Sequence, residues 1–516
     1  MRASRAAWSW AAWLAACRAA DPFIWPLPRF ARGGGVDVGV SYSEHFFDIE
    51  NADSDVVAAA VSRYAALTFP HRAAAPGGGA GVSALKISVV EAPAAGKRWP
   101  GLATDESYNL TISASGAALR ALTEFGALRG LETFSQLVEF DFDTRAYVIH
   151  GAPWAIQDAP RFPHRGLMVD TARHFQPVSA LKATVDALSY AKCNVLHWHM
   201  SDSQSFPLEV ISRPRLWAGA WSKRERYLQA DVSDVVEFAR LRGVRVVVEF
   251  DVPGHAASWC AGYPEVCPSA DCREPLDVAK EETFALIAGV LGEAAALFPD
   301  EMIHLGGDEV NTKCWTETPA TAAWMAQQNL TADGAYAYFT KRAAATALDA
   351  GKRPVQWSEV YDHFGKALDE RTVVHVWKSN TNVTQVVADG YDVLLNVGYT
   401  NESWYLDNLG VPWDALYAKE PCANIPDKLC HRVLGGHGEM WGETVDASDL
   451  QQTVWPRQAA IAERLWSPRA ANDAAAARGR LARFRCLLNE RGVAAAPIGN
   501  AQARQGPPGP GSCYDQ

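Results

Sequence analysis

Positive charge is scarce in this sequence. Among 516 residues, 48 Lys and Arg face 59 Asp and Glu, a formal net charge of -11. Nucleic acid and anionic membrane select basic surfaces, so neither is expected as the main partner. After the N-terminus no apolar run is long enough to cross a bilayer, so no stable membrane insertion is expected. No two cysteines stand at C-x-x-C spacing, which removes the common zinc-ribbon arrangement. What remains is an acidic chain too long for one ordinary domain and rich in one residue type, with 19 Trp. An indole is a broad flat face with a single donor. It suits the C–H face of a sugar ring as well as a protein core.

Residues 1–20 read as a secretory signal peptide. Arg2 and Arg5 precede an apolar run from Ala6 to Ala16, and the small Ala19 and Ala20 precede Asp21. Cys17 falls in that leader. Cys193 sits in an apolar run and reads as a buried thiol. The other eight cysteines fall as local pairs: Cys260 with Cys267, Cys272 with Cys314, Cys422 with Cys430, and Cys486 with Cys513. The sequence leaves that connectivity open, but disulfides in an oxidising compartment fit better than metal. Sequons at Asn109, Asn329, Asn382 and Asn401 agree with the secretory pathway, ending in secretion or in a lysosome or vacuole.

Two patterns divide the rest. Residues 21–158 mix short β-like runs, at 85–90 and 108–112, with a helical run over 117–139, and read as a small α+β domain. Residues 159–500 alternate apolar β runs with amphipathic helices. The β runs are 166–170, 194–199, 244–251, 302–306, 354–357, 373–377, 393–397 and 433–436. Leu181, Val185 and Leu188 share one helical face, as do Val232, Val235, Val236 and Ala239. Eight such runs predict a (β/α)8 TIM barrel, with a doubly wound open sheet as the competitor. Residues 501–516 are a Gly- and Pro-rich tail.

A TIM barrel builds its active site at the C-terminal ends of its strands. Acids and Trp gather there. The second run ends in His197 and His199 and then Asp202, the third in Glu249, Asp251 and His255, and the fourth in Asp308 and Glu309. Trp357 and Glu359 end the fifth, and Trp377 the sixth. Trp404, Tyr405 and Asp407 follow the seventh, and Glu439, Trp441 and Glu443 the eighth. Carboxylates grip hydroxyls with charged hydrogen bonds while indoles stack on the ring. Adjacent carboxyls repel, so one of Asp308 and Glu309 is expected to keep a proton near neutral pH, as a general acid requires. Neighbours on one strand end are poorly placed for the two-carboxylate retaining scheme. They suit a route in which the substrate's 2-acetamido group is the nucleophile.

At these residues the sequence resembles glycoside hydrolase family 20, the β-N-acetylhexosaminidases, in their eukaryotic, plant-like branch. The resemblance is carried by His304-Leu305-Gly306-Gly307-Asp308-Glu309-Val310, His164-Arg165-Gly166, Asn194-Val195-Leu196-His197-Trp198-His199, Asp251-Val252-Pro253-Gly254-His255 and Met440-Trp441-Gly442-Glu443. Trp455-Pro456-Arg457, Ala462-Glu463-Arg464-Leu465-Trp466 and Phe484-Arg485-Cys486 also fit. It implies exo-hydrolysis of terminal β-linked N-acetylglucosamine or N-acetylgalactosamine from glycans, glycoconjugates or chitooligosaccharides, with no cofactor and no metal. Glu309 is implied as acid and then base, and Asp308 as the partner of the acetamido nitrogen. Tyr405 is implied as donor to the acetamido oxygen, and Trp357, Trp377 and Trp441 as the walls. Arg165, Asp407 and Glu443 are implied to grip ring hydroxyls, and His255 and Asp202, with His197, to support Glu309. The resemblance also admits a homodimer. Asn408 stands where animal members that accept sulfated sugars carry Arg, so neutral terminal sugars are expected.

Two rivals have distinguishable marks. A metal hydrolase would use His197, His199, Asp202, His255 and Asp308 as ligands, leave the Trp set without a task, and lose activity to chelators. An inactive glycan-binding barrel would bind without turnover, and its usual mark is loss of the acid.

Overall fold

Strands buried on both faces need apolar side chains on both, and that is how the eight β runs are used. The computed structural model describes residues 23–50, 54–73, 81–91, 99–396 and 403–499. The expected leader, the tail, Cys17, Asn401 and Cys513 lie outside them. The strands His164–Asp170, Val195–Ser201, Arg245–Phe250, Met302–His304, Arg353–Trp357, Val373–Val376, Asp392–Leu395 and Val433–Met440 close into one barrel. Every neighbouring pair is parallel, and the last strand pairs with the first. An open sheet is thereby excluded. Helices Val178–Tyr190 and Gln229–Arg240 bury the apolar faces expected of them.

The barrel interior is layered. Val195, Val247, Met302, Val355, Val373, Leu394 and Leu434 pack together as an apolar plug toward the strand N-termini. Above them lie His197, Glu249, His304, His375, His437 and Glu439, all buried. The substrate-facing ends come next.

The N-terminal region has a six-stranded mixed sheet and a separate four-stranded sheet. Helices Asp55–Thr68 and Glu124–Leu137 pack with them. The helix expected over 117–139 is wrong at both ends. Gly116–Ala121 is a strand, paired with Tyr108–Ser113 and Leu85–Val89, and its buried and exposed residues alternate. Ala and Leu favour a helix, but two paired neighbours override that preference. The helix begins only where the Thr123 hydroxyl accepts from the Gly126 amide at 3.2 Å. It stops at Leu137, and Val138–Asp141 is a strand.

The two regions meet through buried charge. Glu106 accepts from Arg129 Nε at 2.8 Å and, through both oxygens, from Arg165 Nη2 at 2.7 Å. Arg165 also donates to the carbonyls of Lys192 and Phe162. Beside it Lys192 donates to Asp158 at 3.1 Å and to the hydroxyls of Tyr108 and Thr133. Arg165 is therefore not at the end of the barrel where the pocket is expected. It stands at the N-terminal end of the first barrel strand, the opposite end from the pocket, and is fully buried.

Among the described residues three disulfides form: Cys260–Cys267, Cys272–Cys314 and Cys422–Cys430. The second ties the loop after the third strand to that after the fourth. Cys486 is buried, and its expected partner lies outside the described residues. Cys193 is a buried thiol whose pKa burial pushes up to about 11. Asn109, Asn329 and Asn382 are exposed, as acceptors of glycan must be.

Removing one partner of a buried pair leaves an uncompensated charge. Arg165→Met should therefore cost about 3–5 kcal/mol of stability while the surviving folded enzyme keeps its KM. Thermal unfolding and steady-state kinetics check this. A large rise in KM with unchanged Tm would return Arg165 to the sugar.

Candidate active site

The fourth strand ends in a turn that few residues could make. Gly306 has φ 61°, and a Cβ there would lie 1.8 Å from the Asp251 carboxylate. This turn brings Gly307 N–H to donate to Asp251 at 2.9 Å, and Tyr336 donates its hydroxyl to the Gly307 carbonyl. Past it, Asp308 points inward and Glu309 outward. The Asp308 side chain is 10% exposed, that of Glu309 59%.

They open on a cavity of about 450 Å3 at the C-terminal mouth of the barrel. Trp357, Trp377 and Trp441 form its walls, Tyr405, Asp407 and Asn408 one side, and Arg173, His255, Glu443 and Thr444 the rest. The walls are themselves fixed. Trp357 donates to Glu249 at 2.9 Å and Trp377 to Glu359 at 2.7 Å. The loop carrying Tyr405 and Asp407 is pinned because the Leu406 amide donates to the Glu439 carbonyl and Arg457 donates to the carbonyls of Leu406, Asn408 and Val411. Burial keeps the Tyr405 hydroxyl protonated and so a donor.

His255 joins the carboxylates. Its Nε2 lies 3.4 Å from Glu309 and 3.7 Å from Asp308, while Nδ1 lies 3.1 Å from Asp202. Asp202 is buried and also bridged to Arg173 at 2.9 Å and His199 at 2.9 Å. Despite the desolvation that opposes it, this ring of acids holds the His255 pKa well above the usual imidazole range, so it is an imidazolium with two donors. The loop is placed from behind: Glu274 accepts from the amides of Ala256 and Ala257 and from the Ser203 hydroxyl.

This corrects the expected division of protons. The hydrogen bond from His255 pulls the Glu309 pKa below the usual range in the free site. Burial pushes the Asp308 pKa up, against a hydrogen bond with Asp251 that lowers it, and burial with the charge of Asp308 pushes that of Asp251 much further. The shared proton therefore sits between Asp251 and Asp308, with Asp251 holding it, and not on Glu309. Asp251 stands just past the end of the neighbouring strand, a position that adjacency along the chain did not reveal. A glycosidic oxygen seated against Glu309 strips water from it, and that loss raises its proton affinity where the acid is needed.

Of the expected site residues, Glu309, Asp308, His255, Trp357, Trp377, Tyr405, Asp407, Trp441 and Glu443 come together at the cavity. Asp202 stands behind His255. Arg165 is absent, and Arg173 takes its place: it bridges Asp170 at 3.2 Å and lies over Trp441 at 5.0 Å. A usable signal existed, since Arg173 follows the first strand whereas Arg165 precedes it. His199 is a satisfied buried residue between Glu249 and Asp202, and His197 faces the barrel interior beside Glu249, so neither is a ligand at the pocket.

A cavity of this size, closed below and walled by indoles, takes the terminal ring of a glycan, and unlike carboxyls at its edge act on the bond leaving that ring: the class is glycoside hydrolase. Residues 162–469 match "Glycosyl hydrolase family 20, catalytic domain", and residues 24–137 match "beta-acetyl hexosaminidase like". The chain belongs to glycosyl hydrolase family 20. It is 45% identical to Beta-hexosaminidase 1 of Arabidopsis thaliana over 96% of this chain and 94% of that one. It is 38% identical to Beta-hexosaminidase subunit beta of Homo sapiens over 78% of this chain and 73% of that one. The structure of Flavobacterium johnsoniae chitobiase superposes with a TM-score of 0.80 at 29% identity, covering 92% of this chain and 73% of that one.

Burial and Glu443 raise the Asp407 pKa to about 6. The folded state binds that proton more tightly than the unfolded state, so its stabilising effect is full below the ordinary carboxyl range and is lost as pH rises through about 6. Asp407→Asn should raise Tm at pH 7 by a few degrees and leave it unchanged at pH 4. An equal shift at both pH values would contradict the assignment.

Proposed function

We propose that Glu309 is the proton donor and Asp308 the partner of the substrate's 2-acetamido group. The activity is exo-hydrolysis of terminal β-linked N-acetylhexosamine with retention, through the substrate's own acetamido oxygen. Dry Asp308 beside wet Glu309 carries the assignment. Asp308 Oδ1 is buried and lacks a partner in the chain, and an acetamido N–H fits it. Accepting that N–H makes the acetamido oxygen a better nucleophile toward the anomeric carbon, while the Tyr405 hydroxyl donates to the same oxygen and aligns it. Glu309 gives its proton to the leaving oxygen, and an oxazolinium-like intermediate forms. Glu309, now a carboxylate, takes a proton from the water that opens it. Through its other face His255 keeps that carboxylate oriented in both steps.

Trp357, Trp377 and Trp441 pack around the acetamido methyl and ring. Asp407, whose Oδ1 is also buried without a partner, and Glu443 accept from ring hydroxyls. Arg173 donates to a hydroxyl at the edge nearest Trp441. Its charge is already shared between Asp170 and Asp202, so the acid-lined far edge carries no free cation for a sulfate. Three disulfides and exposed sequons support an oxidising secretory compartment. Among the described residues no helix is long and apolar enough to cross a membrane.

A chromogenic β-N-acetylglucosaminide should be cleaved and the plain β-glucoside should not. Glu309→Gln should lower kcat by about 10²–10⁴-fold with little change in KM. Equal cleavage of both sugars would require an enzymic nucleophile, and binding without turnover of either would favour a glycan-binding protein. A 6-sulfated N-acetylglucosaminide should show a kcat/KM well below that of the neutral sugar. Comparable turnover would overturn the reading of Asn408.

A further inference from the structure

Beneath the pocket lies a group of side chains that the hydrolytic mechanism does not use. TIM barrels fill their middle interior layer with branched apolar side chains. Here that layer carries His197, His375 and His437 together with Glu439, all fully or almost fully buried. The ligating atoms of the three imidazoles lie within 4.8 Å of one another. Glu439 Oε1 is 3.2 Å from His375 Nε2 and 3.6 Å from His437 Nδ1. None of these approaches is aligned as a hydrogen bond. His375 Nε2, His437 Nδ1 and both Glu439 oxygens lack such a partner, and so do both ring nitrogens of His197, whose Nε2 lies 2.8 Å from Glu249 without the alignment of a hydrogen bond. Buried polar groups left in that condition are costly, and a buried carboxylate is the costliest among them.

We propose that the barrel interior binds one zinc ion through His197, His375, His437 and the carboxylate of Glu439. Three imidazoles and one carboxylate are all zinc ligands and complete a tetrahedral four-ligand set, which leaves no open position for a reacting water. Zinc bonds of about 2.0–2.1 Å place tetrahedral ligand atoms roughly 3.4 Å apart, which small side-chain rotations reach from the observed spacing. The ion also supplies the positive charge that Glu439 otherwise lacks.

A second triad, His197, Glu249 and His304, shares one member and is the weaker candidate. Its Glu249 is already occupied by His199 at 2.7 Å and Trp357 at 2.9 Å. Outer contacts favour the first set. The far nitrogen of His437 meets His164, and that of His375 lies 3.3 Å from His304, fixing both rings as outer partners of metal ligands do. The site would brace the pocket from below, because His375 stacks on Trp357 at 4.2 Å and the Glu439 carbonyl accepts from the amide after Tyr405. The ion has no part in bond cleavage, which needs none.

The test is elemental analysis of the full chain, expressed in medium supplemented with Zn2+ and then dialysed against metal-free buffer. About one zinc per chain is expected, falling at least tenfold in His437→Gln and in Glu439→Gln. Should those variants fail to fold, X-ray absorption at the zinc edge of the wild type decides, with three nitrogens and one oxygen expected. Zinc at trace level in the folded wild type would overturn the proposal. So would zinc retained in full by both variants, or a first shell without imidazole.

Discussion

One difference in hydration governs this molecule: Asp308 is dry and Glu309, the next residue, is wet. Two carboxyls with the same environment would repel and share one fate. Here the glycine turn after the fourth strand drives one beneath the pocket against Asp251 and leaves the other at the rim facing His255. Burial raises the affinity of the inner group for its proton, and an imidazolium lowers that of the outer one. The inner carboxyl can then orient an amide, and the outer can exchange a proton with whatever displaces its water.

The surroundings maintain that difference. Asp202, Arg173 and Asp170 hold His255 in place and in charge, and Glu274 fixes its loop from the other side. The Cys272–Cys314 bridge joins the two loops whose relative position sets the distance from His255 to Glu309. Below, the polar interior layer supports Trp357 and the Tyr405 loop. Further down, Glu106 binds the barrel to the N-terminal sheets through Arg129 and Arg165. The charges at the barrel floor belong to architecture and those at its mouth to chemistry.

Much of this was legible in the sequence, for identifiable reasons. Eight strands buried on both faces leave eight apolar runs, and a barrel puts its reacting side chains just after each run, so Asp308, Glu309, Trp357, Tyr405 and Trp441 stood out by position. The same rule places Arg165 on the wrong side of its strand and Arg173 on the right one. The motif His164-Arg165-Gly166 points the other way. The strand at Gly116–Ala121 was hidden because its residues favour a helix locally and only its pairing partners make it a strand. The proton held by Asp251 was hidden because its causes are burial and a contact with Asp308 from the next strand, which no reading along the chain displays.

The central claim is that Asp308 serves a nucleophile carried by the substrate, and the rate's response to that nucleophile tests it most directly. The measurement is kcat/KM for chromogenic substrates whose N-acetyl group carries none, one, two or three fluorines, compared between wild type and Asp308→Asn. Fluorine draws electron density from the attacking oxygen, so the account predicts a steep and progressive fall in wild type and a lower rate overall in the variant. A wild-type rate indifferent to fluorination would contradict the account, because the bond would then be broken without the acetamido group.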